Sequence, residues 1–335
     1  MIAETLEQLI QGRSLDERAS EALINAVMSG EAEPAQIAGL LVALRAKGET
    51  VDELVGAARA MRAHAVRVTP KRTNLIDTAG TGGDGSGTFN ISTTAALIAA
   101  AGGAAVAKHG NRAASSRSGA ADLLEALGVG IELSPELAAA CIDEVGFGYL
   151  HAPAHHPAMR HAGPVRRALG VRTIFNLLGP LTNPAGARRQ VIGVAAPDSV
   201  EPIAQALHRL GCEHGLVVHG EPGIDELSPV GLTLVATVTP AGVELGELDA
   251  RELGVPRCTL AELRGGDAAE NARITEAIFA GEPGPPADAA CLNAGAALFV
   301  SGVSGSLADG LALARATIAS GAAHNTLERL RAFTR

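Results

Sequence analysis

The chain has 335 residues, a length typical of about two domains, and 47% of them are hydrophobic, which is enough for a sizeable core. Its 27 Lys and Arg against 36 Asp and Glu give a net charge of −9, which argues against a general nucleic-acid-binding protein because phosphate backbones select for excess positive charge. Only 2% of the residues are aromatic, so a protein that stacks bases on aromatic side chains is also disfavoured.

The sequence favours a cytoplasmic protein. Its longest apolar run, residues 95–107, is shorter than the ~20 residues that a membrane-spanning helix needs. The first turns carry Glu4 and Glu7 and lack the basic start of a signal peptide. The four cysteines are far apart with no Cys-x-x-Cys pair, which favours reduced thiols over a disulfide framework.

Residues 1–66 carry the apolar spacing of helices joined by short connections. Capping-box patterns at 14–17 and 50–53 predict two helix starts, and Pro34 stands where a first helical residue is expected. The last of these helices is expected to end near His64. This part of the chain is therefore predicted to be a small helical bundle.

Beyond Pro70, strand-type apolar runs alternate with helical stretches, which predicts an α/β unit with helices covering a sheet. A proline-rich stretch at 163–184 interrupts this alternation, although 165–169 has a helical pattern. The predicted strands are 74–78, 104–107, 191–195, 215–219 and 233–238, and the predicted helices include 120–127, 200–210 and 268–279.

A glycine-rich loop, GTGGDGSGT at 80–88, follows the first predicted strand and precedes an alanine-rich helix. Glycines permit positive φ and close approach of the backbone, so that successive N–H groups can bind an anion at a helix N-terminus. The loop is not a Walker A motif, because no Gly-Lys-Ser/Thr follows it. Taken alone, it could also be a flexible turn with an ordinary N-cap.

A second polar segment, KHGNRAASSRSG at 108–119, directly follows the strand predicted at 104–107. Ligands bind at the carboxyl ends of strands in α/β sheets, and several cations and hydroxyls collect here at such an end. A purely structural loop seldom needs that many hydrogen-bond donors. Together with the glycine loop, the segment predicts a heavily phosphorylated ligand.

A third segment, GIDELS at 223–228, places Asp225 beside Glu226 after the strand predicted at 215–219. Adjacent carboxylates suit Mg²⁺, which takes one or two carboxylates and completes its shell with water and phosphate oxygens. A solvated acidic turn is the alternative reading of these two residues taken by themselves.

Together these segments resemble the anthranilate phosphoribosyltransferases of tryptophan biosynthesis. The resemblance covers nearly the whole chain and is carried by four strings in the family's order: GTGGDGSGTFNIST at 80–93, KHGNRAASSRSGAADLLEALG at 108–128, GVRTIFNLLGPLTNPA at 170–185 and GIDELS at 223–228.

The resemblance implies an α/β fold with a small all-helical domain and a large α/β domain whose mostly parallel central sheet is covered by helices. The helical domain would comprise 1–70 and about 163–187 and form a homodimer; the large domain would comprise 71–162 and 188–335. The implied reaction joins anthranilate to the ribose of phosphoribosyl pyrophosphate and releases pyrophosphate, with no covalent or acid–base catalytic residue.

The resemblance also implies the ligand-binding residues. Ser92, Asp225 and Glu226 would hold two Mg²⁺ ions, and Gly80, Asn111, Arg166, His109 and His156 would line the anthranilate pocket. Phosphoribosyl pyrophosphate would be bound by Gly80, Gly83, Asp84, Thr88, Asn90, Ile91, Ser92, Thr93, Lys108, His109, Gly110, Asn111, Arg112, Ala113, Ala114, Ser115, Ser116 and Ala120.

Two other functions are compatible with this fold. A nucleoside phosphorylase would break a ribosyl bond with phosphate, but such chains tend to be longer and lack the string at 108–112. A non-catalytic nucleic-acid-binding relative is disfavoured by the net charge of −9 and by the intact acidic pair at Asp225 and Glu226.

Overall fold

The computed structural model of the chain describes residues 2–113 and 117–335. The strands are β1 (Leu75–Gly80), β2 (Ala105–Gly110), β3 (Phe147–His151), β4 (Arg189–Gly193), β5 (His214–Gly220), β6 (Thr233–Thr239) and β7 (Gly242–Leu248). The helices are α1 (Ile2–Ile10), α2 (Glu17–Met28), α3 (Pro34–Lys47), α4 (Val51–Ala63), α5 (Ile91–Ala101), α6 (Ala120–Ala126), α7 (Pro135–Val145), α8 (Ala152–His155), α9 (Gly163–Leu169), α10 (Ile174–Leu178), α11 (Val200–Arg209), α12 (Ala268–Phe279), α13 (Pro285–Ser301), α14 (Leu307–Ala319) and α15 (Ala322–Phe333), with short 3₁₀ helices at Pro157–Arg160, Gly179–Leu181, Pro197–Ser199, Ala250–Leu253 and Leu260–Leu263.

The predicted helical bundle is confirmed and consists of α1 to α4. Pro34 is the first residue of α3, as expected from its fixed φ and missing N–H. The capping box at the start of α4 is also present. The Thr50 hydroxyl accepts from the Glu53 N–H at 3.3 Å, and the Glu53 carboxylate accepts from the Thr50 N–H at 2.8 Å.

The capping box predicted at 14–17 is wrong. Asp16 is the N-cap of α2, and its carboxylate accepts a hydrogen bond from the Ala19 N–H at 2.7 Å. Asp16 takes this role because it directly precedes the first helical residue, whereas the Ser14 hydroxyl lies too far back along the chain. The Ser14 hydroxyl instead accepts from the Lys47 ammonium at 3.2 Å.

The strands of the described residues form one sheet in the order β3-β2-β1-β4-β5-β6-β7. Strands β1 to β5 pair in parallel, while β6 and β7 form an antiparallel edge, so the prediction of a mostly parallel sheet is confirmed. All five predicted strands are present with ends shifted by a few residues. Strands β3 and β7 were not predicted from the sequence. The first follows α7 after a single glycine, and the second is a largely exposed edge strand with interior glutamates.

Helices cover both faces of the sheet. One face packs against α5 and α13, whose alanine-rich surfaces form an apolar cluster with Val106 of β2 and Val218 of β5. The other face packs against α11 and the helical bundle. Helices α9 and α10 from the proline-rich stretch, here called the return segment (residues 163–183), contribute Val165 and Phe175 to this second cluster. No helix in the described residues is long and apolar enough to cross a lipid bilayer.

Helices α4 and α2 pack closely at Gly56, where the two backbones approach each other. A Cβ atom at this position would lie 2.2 Å from the Glu17 carbonyl oxygen and 2.8 Å from the Glu21 backbone nitrogen. Both neighbours are backbone atoms of a helix and cannot move independently.

We expect Gly56→Ala to separate α2 from α4 and to lower the free energy of unfolding by about 1–3 kcal/mol, the usual cost of overpacking. Urea titration followed by circular dichroism measures this loss. Gly246→Ala is the matched control, because a Cβ atom there would have no neighbour within 4 Å. Equal stability of the two variants would contradict the packing argument.

Candidate active site

The glycine loop lies between β1 and α5, at the carboxyl end of the parallel strands. Its far end is attached to a distant segment, because the Phe89 N–H donates to the Leu263 carbonyl at 3.0 Å. Gly82 and Gly83 are exposed and have φ values of 63° and 73°, conformations that L-residues with a side chain rarely adopt. The loop therefore presents backbone to solvent from a fixed support, as an anion-binding loop requires.

Asn90 precedes α5, and its carboxamide is part of a hydrogen-bond network. Its Nδ2 donates to the Ser118 carbonyl at 3.0 Å, and its Oδ1 accepts from the Ser118 hydroxyl at 3.0 Å. The same Oδ1 accepts from Asn271 Nδ2 of α12 at 2.8 Å. Asn90 thus connects the start of α5 to the end of the second polar segment.

The acidic pair after β5 contacts both of these elements. Asp225 Oδ2 accepts a hydrogen bond from the Gly82 N–H at 3.0 Å, and Glu226 Oε1 accepts from the Ser92 N–H at 3.0 Å. The structure thereby brings together the three residues predicted to hold magnesium, Ser92, Asp225 and Glu226. Desolvation, together with nearby negative charge, raises the pKa of Asp225 to about 6 and that of Glu226 to about 8.

Two neighbouring carboxylates whose charged forms are disfavoured provide a suitable environment for a cation. Their oxygen donors, with the Ser92 hydroxyl nearby, fit Mg²⁺, which needs only one or two carboxylates from the protein. Within residues 2–113 and 117–335, no three His, Cys, Asp or Glu side chains are grouped as a complete metal site. The remaining ligands would therefore come from water and from a phosphorylated substrate.

Glycines on β1 and β4 allow the acidic pair to lie against the sheet. Gly80 pairs with Gly193 in the parallel register. A Cβ atom on Gly193 would lie 1.6 Å from the Asp225 carbonyl oxygen, and one on Gly80 would lie 2.4 Å from Asp225 Oδ2. Gly193 was not predicted as a site residue, because its closeness to Asp225 depends on the pairing of β4 with β1 and β5.

Lys108 lies within β2 and is only 2% exposed. Its ammonium donates to the Thr78 backbone carbonyl and, at 3.3 Å, to the Thr78 hydroxyl. Burial lowers the pKa of Lys108, while the negative charges of Asp77 and Glu226 oppose that shift. The ammonium therefore lies near several acidic groups and compensates part of their charge.

Asp77 is fully buried, and its charge interacts electrostatically with that of Lys108. Its carboxylate accepts from the His109 N–H at 3.1 Å and from Asn183 Nδ2 at 2.8 Å, and burial raises its pKa to about 6. Asn183 also donates to the Ala107 carbonyl at 2.8 Å. Neither Asp77 nor Asn183 was predicted as a site residue, because Asp77 lies in an apolar strand and Asn183 in the proline-rich stretch.

Beyond β2, the second polar segment turns towards α6. Arg112 forms two hydrogen bonds with Glu125, at 2.5 and 2.8 Å, and one with Asp122 at 3.2 Å. The Ala113 N–H donates to Asp122 at 2.9 Å, and the Asn111 side chain accepts from the Arg112 N–H at 2.8 Å. The predicted phosphate contacts of Ala114, Ser115 and Ser116 lie outside the described residues.

The other residues predicted to bind phosphoribosyl pyrophosphate differ in burial and in hydrogen bonding. Asp84 accepts from the Ser86 hydroxyl at 2.5 Å, which makes it a turn-stabilising residue as well as a neighbour of Asp225. The side chains of Ile91 and Thr93 are buried in the first turn of α5. Thr88 and Ala120 are half-buried, and Gly110 packs beneath the Tyr149 ring.

Two buried histidines lie next to each other, His109 in β2 and His156 just after α8. The His109 and His156 rings are 5.1 Å apart between centroids. The Nδ1 of His109 donates to the Gly179 carbonyl at 3.2 Å, so that its buried Nε2 is left without a hydrogen-bond partner in the described residues. The Nε2 of His156 is likewise buried without a partner. Burial lowers the pKa of His109 to about 3 and that of His156 to about 4, so both rings are neutral at physiological pH.

Arg166 lies on α9 with its guanidinium 5.3 Å from the centroid of the Phe175 ring. It forms no salt bridge with the described residues, and desolvation lowers its pKa. A half-buried cation without an acidic partner is suited to a carboxylate ligand. No contact among the described residues joins Arg166 directly to His109 or Asn111.

Comparison with known proteins follows the same division of the chain. Residues 3–65 match the family model described as "Glycosyl transferase family, helical bundle domain", and residues 72–324 match "Glycosyl transferase family, a/b domain". A Symbiobacterium thermophilum protein named anthranilate phosphoribosyltransferase is 52% identical over 329 residues, which cover 98% of this chain and 96% of that protein. This chain belongs to the anthranilate phosphoribosyltransferase family.

Solved structures of anthranilate phosphoribosyltransferases have the same fold. The crystal structure from Thermus thermophilus superposes with a TM-score of 0.93 at 52% identity and covers 98% of this chain and 99% of its own. The Saccharomyces cerevisiae enzyme, solved in complex with PRPP (phosphoribosyl pyrophosphate) and Mg, has a TM-score of 0.90 at 26% identity and covers 99% and 97%. The helical and α/β units are therefore arranged as in these relatives.

Because the pKa of His156 is low in the folded protein, we expect its folding stability to depend on pH. The folded state disfavours the charged imidazolium of His156. The neutral ring therefore contributes its full stability above the unfolded pKa of 6.5, and this contribution is lost as the pH falls towards about 4. Between neutral pH and about pH 5, the wild type should lose about 2 kcal/mol more than His156→Gln.

Urea titrations of both proteins at the two pH values measure this difference. His324→Gln is the matched control, because His324 is exposed on α15. This control should follow the wild type. Parallel losses in the wild type and His156→Gln would show that His156 is not held in the neutral form by the fold.

Proposed function

We propose that this chain transfers the phosphoribosyl group of phosphoribosyl pyrophosphate to the amine of anthranilate, releasing pyrophosphate. This is the second step of tryptophan biosynthesis from chorismate. One observation carries the proposal: Asp225 and Glu226 are hydrogen-bonded to the N–H groups of Gly82 and Ser92. A cation-binding pair is thereby placed against both a glycine loop and a helix N-terminus, which together suit a metal-bound pyrophosphate.

The phosphoribosyl donor is assigned to the groove at the carboxyl ends of β1 and β2. The glycine loop and the first turn of α5 would bind its phosphates through backbone N–H groups and hydroxyls. The residues after β2 would close the other side. The assignment is supported by the network through which Asn90 joins both loops at Ser118.

Ser92, Asp225 and Glu226 would hold magnesium, which we propose to be two ions per subunit. Bound magnesium neutralises the charge that develops on the departing pyrophosphate. The protein's own part is to keep two carboxylates close together in a poorly solvated site, and Lys108 compensates part of their charge from behind.

Anthranilate is assigned to the pocket between the return segment and β2. Arg166 would bind its carboxylate with two parallel N–H bonds, and the neutral rings of His109 and His156 would contact the aromatic ring from the opposite wall. Asn111 and Gly80 would lie between the two substrates. Because displacement at the ribose carbon needs a positioned amine and a stabilised leaving group, no covalent nucleophile is required.

The helical domain is proposed to comprise 1–70 and about 163–187, and the large domain 71–162 and 188–335. The packing of Val165 and Phe175 into the bundle's apolar cluster supports this division.

We also propose a cytoplasmic homodimer that associates through the helical domain. The apolar side chain of Ile10 on α1 is 66% exposed, which supports an interface on this helix.

The first test of the function concerns the acidic pair. The double variant Asp225→Asn, Glu226→Gln keeps size but removes both carboxylates that could ionise to bind Mg²⁺, so activity should fall sharply and the Mg²⁺ requirement should shift to higher concentration. Loss of anthranilate fluorescence during a Mg²⁺ titration measures both effects.

The double variant Glu244→Gln, Glu247→Gln removes two exposed carboxylates from β7 and should behave as the wild type. If the wild type itself shows no turnover with anthranilate and phosphoribosyl pyrophosphate, the proposed reaction is wrong. If the Asp225 and Glu226 variant keeps normal Mg²⁺ dependence, the acidic pair is only a turn.

The second test concerns the acceptor. Arg166→Ala removes a charge-assisted bond of about 1.5–3 kcal/mol, so kcat/KM for anthranilate should fall roughly 10- to 150-fold. The KM for phosphoribosyl pyrophosphate should change little. Arg166→Lys should recover only part, because an ammonium cannot form the two parallel bonds.

Steady-state kinetics with each substrate varied in turn measure this contrast. Arg167→Ala is the matched control, since Arg167 is exposed on the same helix. Equal weakening for both substrates would show that Arg166 is structural. No effect on either would place anthranilate elsewhere.

A further inference from the structure

Arg172 connects the return segment to the glycine loop. It lies between α9 and α10, and its Nη1 donates a hydrogen bond to the Gly82 carbonyl. The N–H of the same glycine donates to Asp225 at 3.0 Å. Gly82 is therefore held on one side by a cation of the return segment and on the other by a carboxylate of the proposed magnesium site.

The backbone next to Arg172 is anchored in the helical part of the molecule. The Thr173 N–H donates to Asn176 Oδ1 at 2.9 Å, which closes the first turn of α10. Ile174 and Phe175, 0% and 5% exposed, follow at once and are buried in the cluster shared with the bundle. The Arg172 guanidinium thus reaches the glycine loop from a rigid base.

The guanidinium of Arg172 forms no ion pair with the residues that the structure describes. Within residues 2–113 and 117–335, the bond to the Gly82 carbonyl is the one side-chain hydrogen bond of Arg172. A guanidinium carries five N–H donors in a planar fork, of which the Gly82 carbonyl takes one. The remaining donors lie beside an exposed loop whose backbone geometry suits phosphate.

We infer that Arg172 is a positioning residue for the pyrophosphate group of the donor, which fixes the Gly82 peptide and brings a positive charge to the pyrophosphate. This inference rests on the proposed function and extends it to Arg172, which was not among the residues predicted to bind a ligand. Because Arg172 and Arg166 belong to the same return segment, it also connects the acceptor pocket physically to the donor loop.

The test measures binding of pyrophosphate in the presence of Mg²⁺ by calorimetric titration, using the full chain and no anthranilate. Arg172→Gln keeps a hydrogen-bond donor but loses the charge, and pyrophosphate should bind roughly 10-fold or more weakly. Arg172→Lys keeps the charge and should recover part of the affinity. Arg167→Gln, at an exposed arginine of the same segment, should bind as the wild type.

Steady-state kinetics and thermal unfolding of the same variants separate this role from others. We expect a raised KM for phosphoribosyl pyrophosphate, an unchanged KM for anthranilate and an unchanged unfolding temperature, because the Arg172 side chain is partly exposed. Unchanged pyrophosphate affinity in Arg172→Gln would overturn the inference. So would equal affinities of the Gln and Lys variants, or an effect confined to anthranilate.

If the proposed reaction is wrong, the experiments give a result that differs from the loss of the role inferred for Arg172. In that case the wild type would bind pyrophosphate with Mg²⁺ but would not consume anthranilate. The contrast between Arg172→Gln and Arg167→Gln in pyrophosphate binding would still decide the role of Arg172.

Discussion

The architecture of the site depends on how closely the acidic turn approaches the sheet. The Asp225 backbone lies so near β4 that a Cβ atom on Gly193 would be 1.6 Å from its carbonyl oxygen. Gly80, paired with Gly193 on the neighbouring strand, leaves space for the Asp225 carboxylate itself. Only with both side chains absent can Asp225 reach the Gly82 N–H and Glu226 the Ser92 N–H. One close approach thus joins the glycine loop, α5 and the acidic turn.

This approach concentrates negative charge at a poorly solvated place, and the surrounding residues compensate for it. The raised pKa values of Asp225 and Glu226 show that the fold disfavours two bare carboxylates there. The buried ammonium of Lys108, which interacts electrostatically with Asp77, Glu226 and Asp225, offsets part of this charge. A divalent cation with its substrate oxygens would supply the rest, which explains why the protein can maintain an arrangement that costs folding free energy.

The return segment couples the helical bundle to this site through several contacts. Asn183 donates to Asp77 at 2.8 Å, and the Gly179 carbonyl accepts from His109 at 3.2 Å. Arg62 of α4 donates to the Leu181 carbonyl at 2.7 Å and so attaches the bundle to the same segment. Arg166, which is assigned to the carboxylate of the acceptor, therefore lies on a segment whose last residues are held both by the bundle and by the strand ends. A displacement of the bundle would change the distance between acceptor and donor.

The amino-acid sequence by itself determined the helical bundle, the alternation that builds a mostly parallel sheet, and the three polar segments at strand ends. Apolar period, helix caps and glycine content are local properties that neighbouring residues decide. Local signals were weaker for β3 and β7, and at α2 the choice between Ser14 and Asp16 as N-cap was read wrongly. Only the tertiary structure decided that Gly193 must make room for Asp225, that Asn271 fixes Asn90, that Asp77 holds Asn183, and that Arg172 reaches Gly82. These pairs are far apart in the chain and carry no common local pattern, since strand pairing and helix packing alone bring them within contact distance.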